Sequence, residues 1–209
     1  MKKILILGAT GTLGKALVSK LTDSDRYTLT LAARHARQHY RDSGHIKATD
    51  CDASSVEELS KVMPGHDVVV CAVSGDKLPI VARSIVTAMK RADVGRLIFM
   101  GAIGIYNEIP DEMDGEDNVD NNPDQIPNRD AVAIVENSGL DYTVLRPGYL
   151  REENAEDFVL TPKGEPAKGY ITTIPSVTYL IVKLIDDNSL YNRQSIGITK
   201  DMTASTKEQ

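Results

Sequence analysis

Near the start of the chain, Gly8-Ala9-Thr10-Gly11-Thr12-Leu13-Gly14 sets three glycines at a spacing suited to a phosphate. Each glycine has its own task. Gly8 permits a tight turn out of a strand. Gly11 lets main chain approach a pyrophosphate with no Cβ in the way. Gly14 lets the following helix pack close to a sheet. Free N–H groups at the helix start, with the helix dipole, attract phosphate charge. Gly8, Thr10, Gly11, Thr12, Leu13 and Gly14 are therefore the expected cradle of a dinucleotide.

The next signal is the choice of dinucleotide. An acid about 20 residues past the glycines would hold the ribose 2′-hydroxyl of NAD(H). That stretch reads Leu31-Ala32-Ala33-Arg34, with Arg37 close behind and no acid. A guanidinium can fork onto a 2′-phosphate, so Arg34 favours NADP(H) over NAD(H). His35 is adjacent. Further on, Asp50-Cys51-Asp52-Ala53 ends a strand. Asp52, with Asp50 as the alternative, could accept a bond from the adenine amino group; either could instead cap the next helix. Ala53, Ala72, Ser74, Gly75 and Pro147, all at strand ends, complete the expected cofactor contacts.

The elements that must position these residues alternate. Short apolar runs at Lys3–Leu7, Thr28–Ala33, Ile46–Thr49, Asp67–Val73, Arg96–Met100, Asp141–Leu145 and Ser195–Thr199 predict strands. Between them, helical spacing appears in five places. Leu13, Leu17, Val18 and Leu21 share one face. Ser54–Met63 starts with Ser54 or Ser55 as a cap and stops at Pro64-Gly65. Leu78–Ala92 and Pro123–Asn137 follow, and Val177, Leu180, Ile181 and Leu184 mark a last helix over Pro175–Asp186. Strand–helix alternation predicts an α/β fold: a Rossmann-like, doubly wound, mainly parallel sheet with helices on both faces.

Composition bounds the rest. A chain of 209 residues with 41% apolar content suits one domain over 1–209. Net charge is −6, which argues against nucleic acid or an anionic membrane as partner. The apolar runs are too short for a bilayer span or a signal-peptide core. Cys51 and Cys71 give neither a disulfide framework nor zinc spacing, and His35, His39, His45 and His66 show no paired metal spacing. The expectation is a reduced, cytoplasmic domain with no metal. The polar end, Lys200–Gln209, is expected to fray.

One segment stands apart. Residues 107–124 hold Glu108, Asp111, Glu112, Asp114, Glu116, Asp117, Asp120 and Asp124, with no Lys or Arg. Those eight acids exceed the net charge of the whole chain, so its acidity belongs to one loop. The pattern fails as an EF-hand, because Pro110 falls where the first ligand should be. The expectation is a solvated, mobile insertion, with a lid or a protein-partner surface as the sharper readings.

The motif at residues 8–14 resembles that of atypical short-chain dehydrogenase/reductases, including the NmrA-like, flavin reductase and biliverdin reductase B-type groups. Asp52 with Val56-Glu57-Glu58-Leu59, Ser138 through Gly148, and Ser195-Ile196-Gly197-Ile198 are similar to the family's adenine-side strand end, sixth strand and closing strand. The resemblance implies a nicotinamide beside Pro147-Gly148. It also implies a Ser or Thr after the fifth strand and a Tyr-x-x-x-Lys pair. Here the strand ends Met100-Gly101-Ala102-Ile103-Gly104, and the Tyr and Lys positions fall on Gln125 and Arg129. An amide does not titrate, and a guanidinium cannot relay a proton. Arg129 could still hold a ribose or an anion. Tyr106 is the nearest phenol, for substrate contact or for packing.

Hydride transfer needs positioning more than a protein acid. The expected activity is therefore transfer from NADPH to a flat acceptor such as a flavin or quinone. The acceptor would lie between Ser74 and Gly75, Gly101 to Ile103, and Arg146 to Tyr149. A non-catalytic NADP(H)-binding regulator or redox sensor of the NmrA-like kind is the alternative.

Overall fold

The computed structural model describes residues 1–203. Strand β1 (Lys2–Leu7) buries Ile4, Leu5, Ile6 and Leu7 completely or nearly so. Its neighbours in the chain are α1 (Thr12–Thr22), β2 (Tyr27–Ala33), the short α2 (Ala36–His39), β3 (Ile46–Asp50), α3 (Val56–Val62) and β4 (Val68–Cys71). Then come α4 (Leu78–Ala92), β5 (Arg96–Met100), α5 (Ile126–Glu136), β6 (Asp141–Pro147), β7 (Tyr149–Arg151), β8 (Val159–Pro162), β9 (Ile171–Thr173), α6 (Ile174–Asp186) and β10 (Gln194–Thr199). Eight strands pair in the order β3-β2-β1-β4-β5-β6-β10-β8; all are parallel except β8, which runs against β10. The chain order reverses between β1 and β4, and open parallel sheets bind ligands at such a reversal.

Period-two alternation builds two cores from the same strands. Leu5, Leu7, Val69, Leu97 and Phe99 pack under α3, α4 and α5. Ile4, Ile6, Val68, Val70 and Ile98 pack under α1 and α6. Each residue shift along a strand changes the face, so the buried pattern fixes the register. Ser55 rather than Ser54 caps α3, accepting from the Glu58 N–H at 3.2 Å, while the Glu58 carboxylate accepts from the Asp52 N–H at 2.8 Å. No helix among the described residues is long and apolar enough to cross a membrane.

Three expectations are corrected. Strands β7, β8 and β9 lie in a stretch with no strand expected; β7 pairs with β9, and β8 pairs with the expected β10. The segment expected to fray docks over its first residues: Lys200 N–H donates to Ile171 O at 2.7 Å and Met202 N–H to Lys168 O at 2.8 Å. Residues 204–209 lie outside the described residues. Finally, the acidic segment is not a solvated insertion. Ile109, Met113 and Val119 are buried, and Ile109 and Met113 join Ile103 and Ala167 in a small third core. The Asn118 amide brackets Ile109, accepting from its N–H at 3.0 Å and donating to its carbonyl at 2.8 Å. Glu108 is buried and paired with Arg146, which is wholly inaccessible.

Removing one partner of a buried ion pair strands the other charge. Glu108→Ala should therefore lower unfolding free energy by about 3–5 kcal/mol. Urea denaturation measures it; a loss under about 1 kcal/mol, the range of exposed pairs, would show that the pair is not shielded as described.

Candidate functional site

The glycine loop is held by its own main chain. Gly8 and Ala9 N–H both donate to Ala32 O, at 2.9 and 3.2 Å, and Gly11 N–H donates to Gly8 O at 3.0 Å. The Tyr40 hydroxyl donates to Ala9 O at 2.7 Å, and burial raises its phenol pKa. Gly8 sits at φ +81°, where a Cβ would also lie 2.9 Å from the Ala72 carbonyl. A Cβ on Gly14 would stand 2.1 Å from Gly8 O, so only glycine lets α1 approach. Gly11 differs: its φ of −74° suits any residue, and an added Cβ would meet only Gly8 O at 3.4 Å. What Gly11 preserves is open space in front of the loop. The start of α1 has no side-chain cap and no acid in its first turn, leaving first-turn N–H groups without side-chain acceptors.

Beside the loop lies a cavity of about 530 Å³. Gly8, Thr10 and Gly11 line it from the loop, and Arg34 from the end of β2. Asp52 and Ala53 follow β3, and Ala72, Ser74 and Gly75 follow β4. Thr12 instead lines a neighbouring cavity with Lys15, Glu152 and Glu153, and Leu13 and Gly14 are buried behind the loop. Of the two aspartates, Asp52 reaches the cavity; Asp50 accepts from the Arg37 N–H at 3.0 Å and does not line it. Arg37 is exposed outside the lining. The Ser54 hydroxyl and N–H, at 2.7 and 2.8 Å, hold the Asp52 carboxyl below its usual pKa, aided by Arg34 and Lys77. Sequence reasoning missed Lys77 and His39, which also line this cavity. Lys77 could have been found: it precedes the first turn of α4, directly after Ser74-Gly75-Asp76.

These residues fit a dinucleotide phosphate. The loop leaves room, the helix start leaves donors, and Arg34 and Lys77 add positive charge. The described residues hold no cluster of His, Cys, Asp and Glu suited to a metal ion.

A second cavity of about 330 Å³ opens further along the same strand ends. Ala102 and Ile103 after β5, and Pro147, Gly148 and Tyr149 at the end of β6, form one side. Asp117, Asn122, Asp124, Gln125 and Asn128 form the other. Ile103 N–H donates to Pro147 O at 2.9 Å, tying the two strand ends together. Gln125, where the resemblance would place a tyrosine, is buried. Its amide donates to Ile103 O at 3.2 Å and to Asp117 at 3.1 Å, and its carbonyl accepts from Asn128 at 3.0 Å. Burial, with the charges of Asp117 and Asp114, raises the Tyr149 phenol pKa.

Neither candidate catalytic side chain lines this cavity. Arg129 is exposed and donates twice to Asp130, at 2.8 and 3.0 Å. Tyr106 is half-buried between α5 and β10, donating to Glu136 at 2.7 Å and bonded to the Ser195 hydroxyl at 3.1 Å. Arg146 and Lys163 both stand over its ring, 4.9 and 4.3 Å from the centroid. Desolvation pushes its phenol far above the usual range, as expected of a packed structural group. Arg146, proposed as lining, is instead the buried partner of Glu108.

Comparison with known proteins agrees with this geometry. A family model described as NAD(P)H-binding matches residues 8–188. The uncharacterized sugar epimerase YhfK of Bacillus subtilis is 27% identical over 207 residues, covering 91% of each chain. A Rossmann-fold NAD(P)-binding family protein from Shigella flexneri is 33% identical with a TM-score of 0.82, covering 97% of this chain and 95% of that one. A short-chain dehydrogenase/reductase from Veillonella parvula, solved in complex with NADP, shares the fold at a TM-score of 0.87 and 24% identity, covering 97% and 96%. The chain belongs to the NAD(P)H-binding family and has the Rossmann fold.

Proposed function

We propose that the protein is an NADPH-dependent reductase that passes hydride to a flat acceptor such as a flavin or quinone. The observation that carries this reading is the pairing of two cavities along one sheet edge. The first offers a glycine cradle with Arg34 and Lys77; the second contains an amide, Gln125, at the position of the family's proton donor. The NADP complex of the Veillonella relative supports the cofactor class.

In this reading the loop around Gly11 receives the pyrophosphate, and Arg34 forks onto the 2′-phosphate with Lys77 beside it. Asp52 accepts from the adenine amino group. Ala53, Ala72, Ser74 and Gly75 line the path between, and Pro147 with Ile103 bounds the nicotinamide. When bound, the reduced nicotinamide supplies the hydride. The chain itself supplies orientation and a partly closed wall. Gln125 holds that wall in place and moves no proton. Sugar epimerisation, the activity in the name of the Bacillus relative, needs a titrating pair that Gln125 and Arg129 do not provide. A regulator that binds NADP(H) without turnover is the reading left if NADPH binds and no flavin or quinone is reduced.

Two substitutions test the cofactor assignment. Arg34→Ala should weaken NADPH by about 1.5–3 kcal/mol, the worth of hydrogen bonds to a charged group, and leave NADH nearly unchanged. Isothermal titration reads this, and equal losses for both cofactors would remove the 2′-phosphate assignment. Gly11→Val should abolish NADPH binding while thermal unfolding stays cooperative near the parent's midpoint, because the backbone there accepts any side chain. Retained affinity would mean that the phosphates lie elsewhere.

A further inference from the structure

The two cavities carry opposite charge. Arg34 and Lys77 line the first. Asp117 and Asp124 line the second, with Asn122, Gln125 and Asn128, and no Lys, Arg or His among its lining. The Gln125 amide does not offset those carboxylates toward an incoming molecule. Gln125 donates both its amide protons within the wall, to Ile103 O and to Asp117. Asn122 donates to the other Asp117 oxygen at 2.6 Å, and Asn128 donates to Gln125.

Two cations close in sequence to the lining stay outside it. Arg146 directly precedes Pro147, yet it is buried and held by Glu108. Arg129 lies one turn beyond Gln125 and is paired with Asp130 on the outer surface. The aromatic side chain in the second cavity is Tyr149, half exposed and set edge-on to Tyr170 at 6.4 Å between centroids.

We infer that the second cavity selects a planar acceptor bearing no phosphate or carboxylate, uncharged or cationic, and that Asp117 and Asp124 are the residues that set this preference. The inference rests on the proposed reductase reading and narrows its substrate class. An anionic group there meets carboxylates in a partly desolvated site with no counter-charge, and like-charge contact of this kind is strongly unfavourable. A neutral or cationic ring meets no such penalty and has the Tyr149 ring to pack on.

Riboflavin and FMN carry the same ring and differ by one phosphate, so they are the probes. Equilibrium binding of each to the NADP-loaded protein, read by quenching of flavin fluorescence, reports selection without requiring turnover. Riboflavin should bind at least about tenfold more tightly at low salt, with the ratio shrinking as ionic strength screens the carboxylates. Asp124 is exposed, and its side chain makes no hydrogen bond among the described residues, so its variants should fold. Asp124→Asn should narrow the ratio and Asp124→Lys should bring FMN level with riboflavin or ahead of it. FMN binding as tightly as riboflavin to the parent protein, or neither flavin binding, would overturn the inference. Riboflavin that binds preferentially but is never reduced by NADPH, with quinones equally unreduced, would instead overturn the reductase reading and leave the charge selection standing.

Discussion

The contact between Arg146 and Glu108 joins a strand of the main sheet to a segment that composition alone would leave in solvent. Both side chains are almost wholly removed from water. Two bare charges at such depth would be costly, so their hydrogen bonds must be satisfied as well. They are. Arg146 Nε donates to the Ser195 hydroxyl at 3.1 Å and Nη2 to Thr161 O at 3.3 Å, and the second Glu108 oxygen accepts from the Tyr106 N–H at 2.8 Å. The Tyr106 ring covers the guanidinium. This network anchors the start of the acidic segment to β6 and β10. Ile109 and Met113 then enter their small core, and Asn118 closes the chain around Ile109. Only after those steps do Asp117 and Gln125 stand where they bound the second cavity.

That dependence explains how one face of a common fold acquires a particular site. The cradle end is built almost entirely from main chain and from small residues at strand ends. It needs Gly8 at positive φ, Gly14 against Gly8 O and free space at Gly11. These demands are local, and all of them fall within seven residues. The other end is assembled over distance. Gln125, Asp117, Pro147 and Tyr149 meet only because a long excursion returns to the sheet and is held there by a buried charge pair.

The same division decides what was legible in the sequence. The parallel strands could be read because burial on both faces makes them continuous apolar runs, as in Val68–Cys71, where every residue is buried. The glycine loop could be read because its spacing is set by stereochemistry. Leu78–Ala92 and Arg96–Met100 agree with the structure to the residue. The short β7, β8 and β9 were not legible, since three or four residues give too little period to count. The acidic segment misled for a physical reason. Ile109, Met113 and Val119 are single apolar residues among acids, too few to define a helical or strand period, yet irregular chain can bury them singly. Glu108 looked like one more solvated acid because its partner lies 38 positions away. Arg146, in turn, is beside the expected nicotinamide position in sequence, but its side chain is buried against Glu108, Ser195 and Thr161.

The absent tyrosine and lysine acquire a physical meaning from this arrangement. In a site that must protonate an alcohol oxygen, a buried amide at position 125 would be a defect. In a site that only has to hold two rings in register, an amide is an advantage. It can donate and accept at once, so Gln125 bridges Ile103 after β5, Asp117 in the acidic segment and Asn128 in α5. A tyrosine hydroxyl has one proton and could not make both donations. Gln125 therefore serves as a brace rather than a titrating group, and the brace joins the three pieces of chain that form the wall. A wall so joined is acid-lined because the segment that supplies it is acidic, and its charge opposes that of the cradle end. In the proposed reading, NADPH would meet attraction at Arg34 and repulsion at Asp117 and Asp124, which would favour its phosphates at one end of the edge and its uncharged ring toward the other.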